Sequence, residues 1–205
     1  FSRAAKGLLA GIERADSLIL DFHKMLLSPS LLTAVLFRRS EDSYQTFAQQ
    51  ANYLWRADHS EEWWNAAKRT MKCTRPMLGL RAYALLKHGG PELFEAYIDQ
   101  ALAATRTFTE LLTESQDFEI LTAPESNIIC YRHTPATVAA QNLDALNDHI
   151  RKELVAEGKF FIVQVKKRGR TYLRSALMNP HITREILVDL MAEIRTLALG
   201  FPIAP

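Results

Sequence analysis

Ser17-Leu18-Ile19-Leu20-Asp21-Phe22-His23-Lys24 is the stretch on which the reading of this chain turns. Its apolar centre, bounded by polar residues, has the pattern of a strand buried on both faces in an α/β sheet. The strand closes on Asp21-Phe22-His23-Lys24. A lysine therefore stands at the carboxyl end of a strand, where α/β folds place their chemistry. Half-buried there, its ammonium form is disfavoured by desolvation, which suits an amine that must condense with an aldehyde. A surface lysine at a strand end is the other reading this stretch allows.

Upstream, Ala5, Leu8, Leu9 and Ile12 fall at helical spacing and predict a short amphipathic helix over residues 2–13. Downstream, a turn at Ser28-Pro29-Ser30 leads to a second apolar run, Leu31 to Phe37, stopped by Arg38-Arg39. A connection this short cannot make a parallel crossover, so the second strand is expected antiparallel to the first. Residues 40–75 read as an irregular loop rich in aromatics (Tyr44, Phe47, Tyr53, Trp55, Trp63, Trp64), a type of segment that commonly carries function. Pro76 opens a helix through Leu86, Gly89-Gly90 stops it, and Pro91 opens the next, which runs to about Ser115.

From there the period changes. Residues 117–122 and 127–133 read as strands, about 138–157 as a helix, and 160–165 with 171–178 as a hairpin whose turn, Lys166 to Arg170, contains the required glycine. Asn179-Pro180 ends that strand. Thr183 begins a last helix with Ile186, Leu187, Leu190, Met191 and Ile194 on one face.

Composition bounds the function. The chain has 205 residues, a formal charge of +2 and 48% hydrophobic residues, which excludes collagen-like, low-complexity and disordered classes. Its longest apolar run, Ala82 to Leu86, is far below the roughly 20 residues of a membrane-spanning helix, so no membrane partner is expected. The basic turn Lys166 to Arg170 has no broader basic surface around it and predicts a solvent-facing hairpin, with no nucleic-acid partner. Cys73 and Cys130 lack metal-ligand spacing and read as reduced thiols of a cytoplasmic protein; His59, His88, His133, His149 and His181 are scattered without metal spacing. The chain opens at Phe1 rather than Met, which suggests a cut through a larger protein.

Four landmarks in order carry a resemblance. Gly11 to Leu27, with His23-Lys24 near its end, closely resembles the cofactor-lysine segment of the group II pyridoxal-phosphate decarboxylases, the family of glutamate, aromatic amino acid, histidine and 2,4-diaminobutyrate decarboxylases. Tyr53-Leu54, 29 residues beyond Lys24, is similar to the tyrosine-leucine pair of that family's mobile catalytic loop. Lys72-Cys73-Thr74-Arg75 is similar to the Gln-Cys-Gly-Arg segment of its glutamate branch. Tyr172-Leu173-Arg174 through Asn179-Pro180 resembles the carboxy-terminal strand whose arginine meets the substrate carboxylate.

The resemblance implies a fold-type-I α/β architecture. Residues 1–89 would form the end of the cofactor-binding large domain, and residues 90–205 a small α+β domain. It implies that Lys24 holds pyridoxal 5′-phosphate covalently, that His23 and Asp21 belong to the cofactor pocket, that Tyr53 donates a proton to the substrate's Cα, and that Arg174 binds a carboxylate through its bidentate fork. It implies an amino acid substrate, a homodimer with the Tyr53 loop reaching the neighbouring subunit, and an upstream half of the same enzyme that supplies the ring-nitrogen aspartate and the phosphate-binding group. Taken singly, Tyr53 also reads as an aromatic packing residue, Arg174 as a strand arginine on a solvated face, and Asp21 as a strand-end cap that would repel a phosphate. Another fold-type-I lyase of the sphingosine-phosphate lyase or tyrosine-decarboxylase-like kind, or a non-catalytic α+β interaction module, stands as the alternative.

Overall fold

The computed structural model describes residues 1–29, 31–48, 64–71 and 76–202. They fall into two units, Phe1–Glu95 and Ala96–Pro205.

In the first unit, β1 (Ser17–Asp21) and β2 (Thr33–Phe37) pair antiparallel, with Ser17 opposite Phe37 and Asp21 opposite Thr33. The pair is clipped at its far end, where the Arg38 amide donates to the Asp16 carbonyl at 2.9 Å and its guanidinium pairs with the Asp16 carboxylate. β1 is not buried on both faces within this chain: Ile19 is 67% exposed, and Val35 and Leu36 on β2 are also open. The apolar run is explained by strand formation; α1 (Ser40–Thr46) packs on β2, and several apolar side chains of the ribbon stay exposed in this chain.

α1 also corrects the expectation that residues 40–75 are wholly irregular. Glu41 and Asp42 complement its N-terminal dipole, and Arg39 pairs with Asp42 at 2.8 Å across that turn. A 3₁₀ turn follows at Ala66–Arg69. The amphipathic helix expected over 2–13 is instead two 3₁₀ turns, Lys6–Leu9 and Ile12–Arg14, separated by Gly11 at φ 91°. Leu8 and Leu9 are exposed. A helix this short holds only when its apolar face is packed, and among the described residues that face is left exposed.

The boundary between units falls within α2 (Gly79–Glu114), which starts three residues later than Pro76 and breaks at Gly90 (φ 67°, ψ 176°) with Pro91 directly after. The stop and restart read from Gly89-Gly90-Pro91 are therefore observed.

The second unit is an antiparallel sheet in the order β3-β4-β6-β5, from β3 (Phe118–Ile120), β4 (Ile128–His133), β5 (Val163–Lys167) and β6 (Arg170–Ala176). α3 (Leu143–Glu157) packs on β6 and against α4 (Arg184–Leu199). Phe108, Tyr131, Leu146, Ile150, Leu173 and Ile194 fill the space between helices and sheet. Two buried polar groups are satisfied inside it: Tyr131 pairs with the Ser175 hydroxyl at 3.1 Å, and Asn147 on α3 clamps both backbone groups of His133 on β4 at 2.9 Å. Such clamps are needed because an unpaired buried polar group is costly.

Three expectations shift here. α3 begins at Leu143, preceded by a 3₁₀ turn at Ala140–Asn142, rather than near Val138. The β5–β6 turn narrows to Arg168-Gly169, both at positive φ, because Lys167 and Arg170 still pair across it. Ile186 is exposed, while Leu187, Leu190, Met191 and Ile194 face the core as expected. Thr183 caps α4 by accepting from the Ile186 amide.

Candidate functional site

The residues singled out around Lys24 are brought together by the tight reversal after β1. The Phe22 amide donates to the Leu32 carbonyl at 2.9 Å, the Lys24 amide to the Asp21 carbonyl at 3.3 Å, and the Ser28 amide to the Phe22 carbonyl at 3.0 Å. Buried Leu26 and Leu32 anchor the reversal from within. Leu27 closes it at φ 58°, a left-handed conformation that a branched side chain adopts only where its surroundings impose it.

His23 is fixed by its own strand partner. Its Nδ1 lies 3.0 Å from the Leu32 carbonyl oxygen and 3.3 Å from the Leu32 amide nitrogen, so the ring orientation is set whichever tautomer is present. Nε2 is left for another partner.

Asp21 uses both carboxylate oxygens. Oδ1 accepts from the Thr33 hydroxyl at 2.5 Å, and Oδ2 pairs with Lys24 Nζ at 2.7 Å. The hydrogen bond from Lys24, then that from Thr33, hold its carboxyl below the ordinary carboxylate value. The Lys24 side chain is 58% exposed, which corrects the expectation of a half-buried, desolvated amine. The reversal turns Lys24 outward, where its amine pairs with Asp21.

Thr33 was not legible as part of this group. The available signal was a lone hydroxyl inside an apolar run, but only the pairing register sets it opposite Asp21. A cleft of about 650 Å³ runs along β2 and α1, lined by Thr33, Phe37, Arg38, Ser43, Phe47 and Arg69 among others; Asp21, His23 and Lys24 do not line it.

Arg174 lies on β6 between Cys130 of β4 and Val163 of β5. It alternates with Leu173 and Ser175, so its side chain leaves on the sheet face opposite the helices. Among the described residues no ion pair engages it. Burial pushes the Cys130 thiol up, partly opposed by the Arg174 charge. Tyr53, Cys73 and the rest of Lys72–Arg75 lie outside the described residues. The turn Lys166–Arg170 is exposed. Among the described residues, no helix is long and apolar enough to cross a membrane, and no group of His, Cys, Asp and Glu could hold a metal ion.

The donor set beside Lys24 suits a group bearing an aldehyde, since an accessible primary amine is present and is held in place by a carboxylate at 2.7 Å.

Comparison with known proteins gives the same direction. The family model described as "Pyridoxal-dependent decarboxylase conserved domain" matches residues 1–134. An aromatic-L-amino-acid decarboxylase of Bacillus atrophaeus is 26% identical over 96% of this chain and 42% of its own length. An aspartate 1-decarboxylase of Aliivibrio fischeri is 27% identical over 96% of this chain and 39% of its own. The chain thus spans about two fifths of these relatives. The crystal structure of mouse CSAD matches with a TM-score of 0.82 at 24% identity, covering 96% of this chain and 43% of that one, and the shared architecture is that of the fold-type-I enzymes.

Proposed function

The chain belongs to the pyridoxal-dependent decarboxylase family, and from that premise we propose that the protein removes the α-carboxylate of an amino acid as carbon dioxide and releases the amine. The observation that carries this reading is Lys24: an exposed primary amine at the carboxyl end of β1, ion-paired to Asp21, inside the matched segment. Pyridoxal phosphate, when bound, supplies the electron sink for loss of the carboxylate.

The chain's own residues do the rest. Lys24 holds the cofactor through its amine and must shed a proton to do so. Asp21, ion-paired with Lys24 Nζ at 2.7 Å, sets where that amine stands, and His23, its ring fixed by Leu32, presents Nε2 to the cofactor pocket. Tyr53 delivers a proton to the substrate's Cα as general acid. Arg174, unengaged by any ion pair among the described residues, takes a substrate carboxylate in a bidentate grip. Relatives named for aromatic amino acids, for aspartate and for 2,4-diaminobutyrate leave the side-chain class open between aromatic, acidic and diamino substrates. The same reading makes the working protein a cytoplasmic homodimer, with Tyr53 of one copy serving the other.

The test uses the full-length protein. It is incubated with pyridoxal phosphate, reduced with borohydride, and mapped by mass spectrometry. Label on Lys24 is expected, and its absence sinks the proposal. With labelling intact, Tyr53→Phe should impair product protonation and Arg174→Ala should raise KM well above any effect on labelling. Unchanged turnover and product profile in the first, or equal loss of both properties in the second, removes that residue from its role. Mixed dimers of Lys24→Ala and Tyr53→Phe chains should regain activity, and no recovery argues against the shared site.

A further inference from the structure

Arg174 shares its sheet face with a second arginine that is fully engaged. Cys130 of β4 lies opposite Arg174 of β6, so Arg132, two residues along β4, leaves from the same face, as do Tyr172 and Arg170 on β6. Glu119 of β3 stands opposite Arg132. Its Oε2 accepts from Arg132 Nε at 2.9 Å and Nη2 at 2.8 Å, and its Oε1 accepts from the Tyr172 hydroxyl at 3.1 Å, with Arg170 Nη1 3.7 Å away. Arg132 is buried, its guanidinium carbon 5.5 Å from the centre of the Tyr172 ring and its Nη1 3.9 Å from Asp144 at the start of α3. Arg132 and Arg174 are diagonal neighbours across β4 and β6, a separation that long side chains bridge. Building on Arg174 as the residue that takes a substrate carboxylate, we propose that the Glu119–Arg132 pair determines specificity there: the two cancel each other's charge, so that Arg174 meets the substrate as the uncommitted guanidinium among the described arginines of this face.

Each partner alone would spoil that arrangement, in opposite directions. Without Arg132, the Glu119 carboxylate keeps its charge two strands from Arg174, where it repels an incoming carboxylate and competes for the guanidinium. Without Glu119, Arg132 keeps only the more distant Asp144, and an anion on this face finds a second guanidinium within reach. With both gone, the field at Arg174 returns to its starting value. A pair that served only to tie β3 to β4 would behave differently, because losing either partner would then weaken binding alike. Lys167, opposite Arg170 at the exposed turn, keeps its charge in all these variants.

The test reads Arg174 directly, in full-length protein carrying pyridoxal phosphate. Phenylglyoxal, which labels guanidinium groups, is applied over a series of glutarate concentrations, and the Arg174 peptide is quantified by mass spectrometry. Glutarate has carboxylates but no amine, so its binding does not depend on chemistry at Lys24. In the unaltered protein glutarate should protect Arg174. The half-protecting concentration should rise about two- to fivefold in Arg132→Met, the range for an exposed charge pair, fall by a similar factor in Glu119→Gln, and return to its original value in the double variant. Arg132→Lys, which keeps the charge, should leave it unchanged. Single variants that shift the same way, or no shift in either, overturn the proposal and leave the role of Arg174 in place. If Glu119→Gln does not fold, a rise in Arg132→Met that the double variant fails to reverse overturns it equally. No protection of Arg174 in the unaltered protein removes that residue's role and the pair's with it, while borohydride labelling of Lys24 reports separately on the decarboxylase reading.

Discussion

His133 ends β4 with its side chain 4% exposed, its Nδ1 2.9 Å from the Asp117 carbonyl oxygen and its ring packed on Phe118. Burial pushes its imidazole below the ordinary value; the Asp117 carboxylate, 3.6 Å away, opposes this, and Arg195, which grips that carboxylate, adds to it. With the folded value below the unfolded one, the unfolded chain takes up the proton more readily. The stability that neutral His133 contributes is complete above its unfolded value of about 6.5 and is lost as pH falls from there through the folded value. Urea unfolding should give a midpoint flat above about pH 7 that declines below it. His133→Gln should remove the upper part of that decline, and an identical profile in the variant would assign the loss to other groups. In the sequence this residue was one scattered histidine among several; its titration belongs to the fold.

At the scale of elements, the α2 break shows how far local chemistry reaches. Gly90 sits at φ 67°, and a Cβ there would meet only the movable end of the Glu92 side chain, so the cost of a substitution lies in the backbone. Gly90→Ala should lower stability by about 1 kcal/mol, whereas Gly79→Ala, at the start of the same helix with open space around it, should be neutral or raise it by a few tenths. Thermal unfolding of both variants checks the contrast, and equal effects would show that α2 does not depend on its break. The stop, the restart at Pro91, the Thr183 cap and the glycine of the β5–β6 turn were all legible because each depends on residues next to it. The helix expected over 2–13 failed for the opposite reason. Its pattern was right, but a helix of that length needs a partner surface, and two 3₁₀ turns stand in its place.

Across the whole molecule, apolar burial is uneven. The large core cluster lies in the second unit, while Ile19, Leu31, Val35 and Leu36 of the first unit are exposed in this chain. Leu146→Ala, at a fully buried position, should therefore cost about 2–5 kcal/mol in urea unfolding of the 205-residue chain. Ile19→Ala, at 67% exposure, should cost under about 0.5 kcal/mol, and comparable losses at the two sites would contradict this distribution.

From sequence alone came the order of strands and helices, the antiparallel turn-back after β1, the α+β character of the second half, and a lysine at a strand end within a recognisable run of landmarks. The landmarks rest on resemblance to a family; the rest follows from periodicity, turn chemistry and connection length, which are local. Only the tertiary structure decided that Lys24 faces solvent, that Asp21 bridges it to Thr33, and that His23 is held by Leu32. Those contacts depend on which residues the strand register sets opposite one another and on which surfaces find cover, and neither is encoded at any single position.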